Sequence, residues 1–135
     1  MKIKSMKRVV IAVAMLFSTP ILASDNEVEV ILSEKQAEKI RFDLSLLNYD
    51  GLMGNADSLA AVDYEFCIPA NEQYVEEVRY LDPSIKLHQS SPGRIGCNSN
   101  EYLIIGNTHQ PDFKMVLTNL AKLSYVERIE RCFWE

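Results

Sequence analysis

Apolar and polar positions alternate differently along the chain, and the changes mark its elements. Val9 to Phe17 is an unbroken apolar run, and no run of that length recurs. Val28 and Val30 alternate with Glu27 and Glu29, which predicts a short extended piece over 26–32. Ser33-Glu34-Lys35-Gln36 has capping-box spacing, in which Ser accepts from the third backbone N–H and Gln reaches back. Ala37, Ile40, Leu44 and Leu47 then recur at three and four residues, predicting an amphipathic helix over about 34–47. Asp50-Gly51 and Gly54-Asn55 place a loop over 48–57.

The pattern is more regular from residue 61 on. Val62, Tyr64, Phe66 and Ile68 alternate with Asp63, Glu65 and Cys67, the mark of a strand with one wetter face. Asn71 is a predicted N-cap for a helix carrying Tyr74, Val75, Val78 and Leu81, which Asp82-Pro83 stops. Ile85 and Leu87 begin a second strand, broken by a bulge or turn at Ser91-Pro92-Gly93 and continued by 94–97. Asn98-Ser99-Asn100 turns it into a third strand, 102–105. Pro111 opens a helix with Phe113, Val116, Leu117, Leu120 and Leu123 on one face, and 125–134 is a last strand.

This α+β order, strand-helix-strand-strand-helix-strand, resembles the ferredoxin-like split βαβ fold over 61–135. The resemblance implies an antiparallel sheet with two helices on one face. Residues 24–60 would form an N-terminal extension containing the helix over 34–47. The closing segment Val116-Leu117-Thr118-Asn119-Leu120-Ala121-Lys122-Leu123-Ser124-Tyr125-Val126-Glu127-Arg128-Ile129-Glu130 also resembles the final helix and strand of subtilisin-type propeptides and related protease inhibitors. That resemblance implies an inhibitor placing its C-terminal tail in a protease cleft, although the sequence stops at Glu135, straight after the strand.

The N-terminal run alters the charge balance. Lys2, Lys4, Lys7 and Arg8 precede it, Ser18-Thr19-Pro20 break it, and Ala23 offers a small-residue exit before Ser24-Asp25-Asn26-Glu27. The run is shorter than the about 20 residues needed to cross a bilayer. Residues 1–23 therefore read as a secretory signal peptide, making the chain periplasmic or secreted with no stable membrane insertion after cleavage. The four basic residues leave with the signal and no acidic one does, so the whole-chain charge of −5 becomes −9. So acidic a surface repels phosphate backbones, and a nucleic-acid partner is excluded.

Cys67, Cys97 and Cys132 survive processing in an oxidising compartment that favours pairing. The end of the first strand and the turn between the second and third lie together in the predicted topology, which pairs Cys67 with Cys97. Cys132, placed at the opposite edge, remains a free thiol, buried and inert or linking two chains; Cys67–Cys132 is the other pairing left open.

Candidate chemistry is sparse. Asn107, Thr108, His109 and Gln110 form a polar turn from strand to helix. Its free backbone N–H groups can bind an anion or orient a side chain, or Thr108 or Gln110 can simply cap the helix. His88, the other histidine, has no visible partner. A His109–Cys132 pair would make a thiol-dependent enzyme, but no spacing brings the two together. No metal-ligand spacing and no cofactor motif occurs. Asp63, Glu65, Arg128, Glu130 and Trp134 share a phase on the predicted open sheet face, where they can bind a protein partner or a second copy, or pair across strands. The expectation is a non-enzymatic exported binding protein, with a propeptide-like inhibitor and a thiol/His enzyme as alternatives.

Overall fold

A computed structural model describes residues 32–134. The signal peptide over 1–23 and nearly all of the extended piece over 26–32 lie outside the described residues. The element order is α1 (Glu34–Ala37), a 3-10 turn (Leu44–Leu46), β1 (Leu52–Met53), β2 (Ala60–Ala61), β3 (Asp63–Pro69), α2 (Glu72–Leu81), β4 (Lys86–His88), β5 (Glu101–Asn107), α3 (Phe113–Ala121) and β6 (Glu130–Arg131). The chain is thus α+β with two antiparallel sheets, the hairpin β1–β2 and a four-stranded sheet in the order β4-β5-β3-β6.

The alternation in β3 decides the layering. Tyr64, Phe66 and Ile68, with Ile104 of β5, share one buried cluster with Val75 and Val78 of α2 and with Phe113, Val116, Leu117 and Leu120 of α3. Both helices therefore cover the same sheet face, each fully buried aliphatic or aromatic side chain contributing on the order of 1.5–3 kcal/mol. On the other face Ile95, Cys97, Leu103 and Ile105 form a second cluster, against which Cys67 and Cys132 pack. Asn71 caps α2 as predicted, its side chain accepting from Gln73 N–H at 2.9 Å. The helix ends at Leu81, before Asp82-Pro83.

Three expectations are corrected. The helix over 34–47 stops at Ala37, although its capping box forms as read. Lys39 C=O accepts from Ile129 N–H at 2.7 Å and Arg41 N–H donates to Ile129 C=O at 2.9 Å, so Ile40 bridges in parallel with Ile129. This long-range pairing displaces the helical bonds, and Ile40, Leu44 and Leu47 reach the core from extended and turn conformations instead. The second strand ends at His88 and does not resume over 94–97. Gly96 and Cys97 N–H both bond back to Pro92 C=O, and Gly93 and Gly96 take positive φ of 64° and 81°, which closes a turn. The last strand is only Glu130–Arg131, because Ile129 is engaged by Lys39 and Arg41, and β3 begins at Asp63.

Candidate functional site

The turn after β5 is built from the inside out. Thr108 is fully buried; its Oγ1 accepts from Val62 N–H at 2.9 Å and donates to Gly51 C=O at 2.7 Å. Gly51 sits at φ 75° with its Cα against the Thr108 carbonyl, an approach that a Cβ would block. Asn107 Nδ2 donates to Asp63 Oδ1 at 2.6 Å, and Asn107 Oδ1 accepts from His109 N–H at 2.8 Å. Gln110 turns inward, its Nε2 donating to Asn107 C=O, Asp82 Oδ1 and Ser84 Oγ. Asp82, fully buried, is also held by the Tyr64 hydroxyl and by Ser84. Burial, then the Asp82 charge, pushes the Tyr64 phenol far above its ordinary value. Asn107, Thr108 and Gln110 are therefore committed to structure and do not offer free donors. Neither Thr108 nor Gln110 caps α3; Asp112 fills that position at φ 55° without a side-chain bond.

His109 alone of the four is exposed, with its Nδ1 2.9 Å from Asp50 C=O. That contact joins the 47–50 loop to the turn before α3. Between them lies a groove of about 1020 Å³. Leu47, Pro111, Phe113 and Met115 give it apolar walls, and the exposed Asp50, Asp112 and Lys114 stand at its rim, with Lys114 Nζ 6.0 Å from the centre of the Phe113 ring. Its volume is at the upper end of the roughly 300–1,000 Å³ of ligand pockets. Tyr49, in the groove wall, is 97% exposed, and Met115 is 43% exposed. The loop is stiffened by Asn48, whose Oδ1 accepts from Asp50 N–H at 2.9 Å and Leu52 N–H at 3.0 Å. Sequence reading missed this groove. Its walls come from segments 59 residues apart, joined by His109 and Asp50; the Asp50-Gly51 turn signal and the polar turn 107–110 each marked one wall, and nothing local joins them.

The sheet face expected to be open is covered. Cys67 and Cys97 form a disulfide, with Cα atoms 5.5 Å apart, and it pins the 92–97 turn over β3 and β5. Glu65, expected on an open face, is only 3% exposed, and its Oε1 accepts from Ile95 N–H at 2.6 Å. Arg128 Nη2 donates to Ile95 C=O at 2.6 Å, while its Nε lies 3.3 Å from Glu130 Oε1. The cover is this disulfide-bound turn. Asp63 and Trp134 do come together, Trp134 Nε1 donating to Asp63 Oδ2 at 2.6 Å.

Cys132 is free and half-buried. Its N–H donates to Asp63 C=O at 2.8 Å, four residues along β3 from Cys67, as the topology predicts. It nevertheless shares the face and the apolar cluster of the disulfide. Desolvation, then the hydrogen bond to Glu65 and the charges of Glu65 and Asp63, push its thiol up to about 11, with Arg94 opposing. Such a thiol is almost wholly protonated at neutral pH and a weak nucleophile. Among the described residues no hydrogen bond joins it to His109, which bonds to Asp50. Nor do any three or more His, Cys, Asp or Glu among them form a group able to hold a metal ion.

No protein-family model matches the sequence, and neither a curated protein nor a solved structure is significantly similar to it. The site is therefore read from its own geometry.

Proposed function

We propose that the protein is an exported binding module whose groove beside α3 takes a short protein segment bearing an aromatic anchor and an adjacent positive charge. The observation that carries this reading is the groove itself, with apolar walls, rim carboxylates and an almost fully exposed tyrosine on a loop fastened by side-chain hydrogen bonds. Exposed Tyr beside Met and Phe is the composition of interface cores. A fastened loop loses little freedom on binding. Asp50 and Asp112 against the single charge of Lys114 leave the groove net negative, which favours a cationic group on the incoming segment.

Export is supported by the Cys67–Cys97 disulfide, which persists in oxidising compartments. In addition, no helix of the described residues is long and apolar enough to cross a membrane. We read β3 to β6 as a ferredoxin-like split βαβ unit. The neighbour order β4-β5-β3-β6, antiparallel throughout, supports that reading, as do the helices following β3 and β5. In this reading the groove lies where β5 passes into the second helix, and residues up to 60 supply its other wall.

The test is fluorescence anisotropy with labelled peptides. A peptide carrying Arg and Phe two residues apart should bind saturably, and its counterpart with Glu for Arg and Ala for Phe should not. Tyr49→Ala should weaken binding by about tenfold, as loss of an aromatic anchor does. Indifference of the isotherm to Tyr49 would remove the groove from the account.

A further inference from the structure

Beyond β6 the chain carries two exposed aromatic side chains, Phe133 at 54% and Trp134 at 67%. Trp134 is held to the sheet, and Phe133 lies under the side chain of its neighbour Arg131. The Arg131 guanidinium lies 4.7 Å from the centre of the Phe133 ring. Trp134 is fastened through Asp63, whose other carboxylate oxygen is bound by Asn107, so its anchor reaches both central strands. Large aromatics fixed in water, beside a cation, have the make-up of interface anchors. Fixing them in advance lowers the ordering cost of docking.

This segment and the groove are linked through Met53. Met53 bridges Leu47 in the groove wall, and its sulfur lies 3.7 Å from Arg131 Nη1. Their chemistry is complementary: Arg131 and Phe133 on one side, and on the other the walls of Tyr49, Phe113 and Met115 with Asp50 and Asp112, which leave the groove net negative after the charge of Lys114 is counted.

Building on the groove reading above, we propose that the groove's partner is a second copy of this chain. Two copies exchange their 131–134 segments about a two-fold axis. Phe133 of each copy enters the other's groove, and Arg131 meets the rim carboxylates. Because donor segment and groove adjoin, one rotation satisfies both contacts and closes the assembly, whereas widely separated patches would generate filaments. Two chains of the same strongly negative charge repel at a distance, so added salt tightens this dimer; it would loosen a complex with an unrelated basic partner.

The test is sedimentation of the signal-cleaved, oxidised protein over a series of concentrations and salt levels. The expected result is a doubling of mass that strengthens with salt. Met115→Arg and Phe133→Ala, both at exposed positions, should each weaken association by about tenfold or more. Mixing the two variants should restore a heterodimer, since one intact groove then meets one intact segment. A monomer at every concentration overturns the proposal, as does a dimer that neither variant weakens. If the monomer still binds the Arg/Phe peptide in a Tyr49-dependent way, self-pairing fails and the groove reading stands. If peptide binding also ignores Tyr49 and Met115, both fail.

Discussion

Replacing Thr108 by Val tests how the groove is built. Valine keeps the volume and the β-branch but removes the hydroxyl, which is fully buried and makes two hydrogen bonds, one accepted from Val62 N–H and one donated to Gly51 C=O. Losing the partner of a buried polar group costs about 1–3 kcal/mol. Two such groups give a destabilisation of about 2–6 kcal/mol, the lower end applying if water reaches the Gly51 carbonyl. In a domain of this size about 1 kcal/mol moves Tm by roughly 4–8 °C, so the loss is large on either scale. The assay is urea unfolding of the oxidised protein, comparing midpoint and slope for Thr108→Val and Thr108→Ser. Serine retains the hydroxyl and loses only a methyl, so it should sit close to the parent, within about 1 kcal/mol. Amide exchange at Gly51 and Leu52 should quicken in the valine variant, because the 48–51 loop has lost its tether to β5. A loss below about 0.5 kcal/mol for Thr108→Val, within ordinary surface scatter, would refute the claim that this hydroxyl fastens the groove wall.

Removing the disulfide with Cys67→Ser and Cys97→Ser together should cost about 3–4 kcal/mol by loop-closure entropy over its separation of 30 residues, measured by the same unfolding assay. The same variant should speed exchange at Ile95 and Gly96. Cys132 should alkylate slowly at neutral pH, at a rate that climbs with pH towards its pKa of about 11. Glu65→Gln takes away the neighbouring charge that disfavours the thiolate, so the pKa should fall and alkylation at pH 8 should quicken. Because folding raises the pKa of Cys132, its contribution to stability is intact below the ordinary thiol value of 9.0 and is lost as pH rises through about 11. Urea midpoints measured across that window should therefore decline, with the raised Tyr64 phenol extending the decline further into alkali.

How far the sequence could be read follows from how local each determinant is. β3 was legible because four apolar residues alternate over seven positions, and α2 because Asn71 and Asp82-Pro83 punctuate it. The Cys67–Cys97 bond followed from the order of elements once the third strand was placed. The segment after Ala37 was not legible. Its three-and-four spacing satisfies a helix equally well, and what decides against one is Ile129, some ninety residues away. The buried state of Glu65 depends on the Ile95 N–H that it accepts, and on a turn closed by two glycines that also suit a bulged strand. The polar turn 107–110 was located correctly as a feature, but the side chains of Asn107, Thr108 and Gln110 bond inward to Asp63, Asp82, Gly51 and Val62, and of the four only His109 is exposed, although Gln110 also lines the groove. A groove whose two walls meet through the long-range contacts of Thr108 with Gly51 and of His109 with Asp50 leaves no periodicity to detect.

The central claim, that the groove between 47–50 and 109–115 is the recognition surface, is tested most directly by amide chemical-shift mapping. The protein from residue 24 on would be titrated with the Arg- and Phe-bearing peptide, at a dilution where it is monomeric. The account predicts shifts concentrated at Tyr49, Asp50, His109, Phe113, Lys114 and Met115, saturating together and absent from the β4 edge at Lys86–His88. Shifts centred on β4, on the 92–97 turn or nowhere would contradict it.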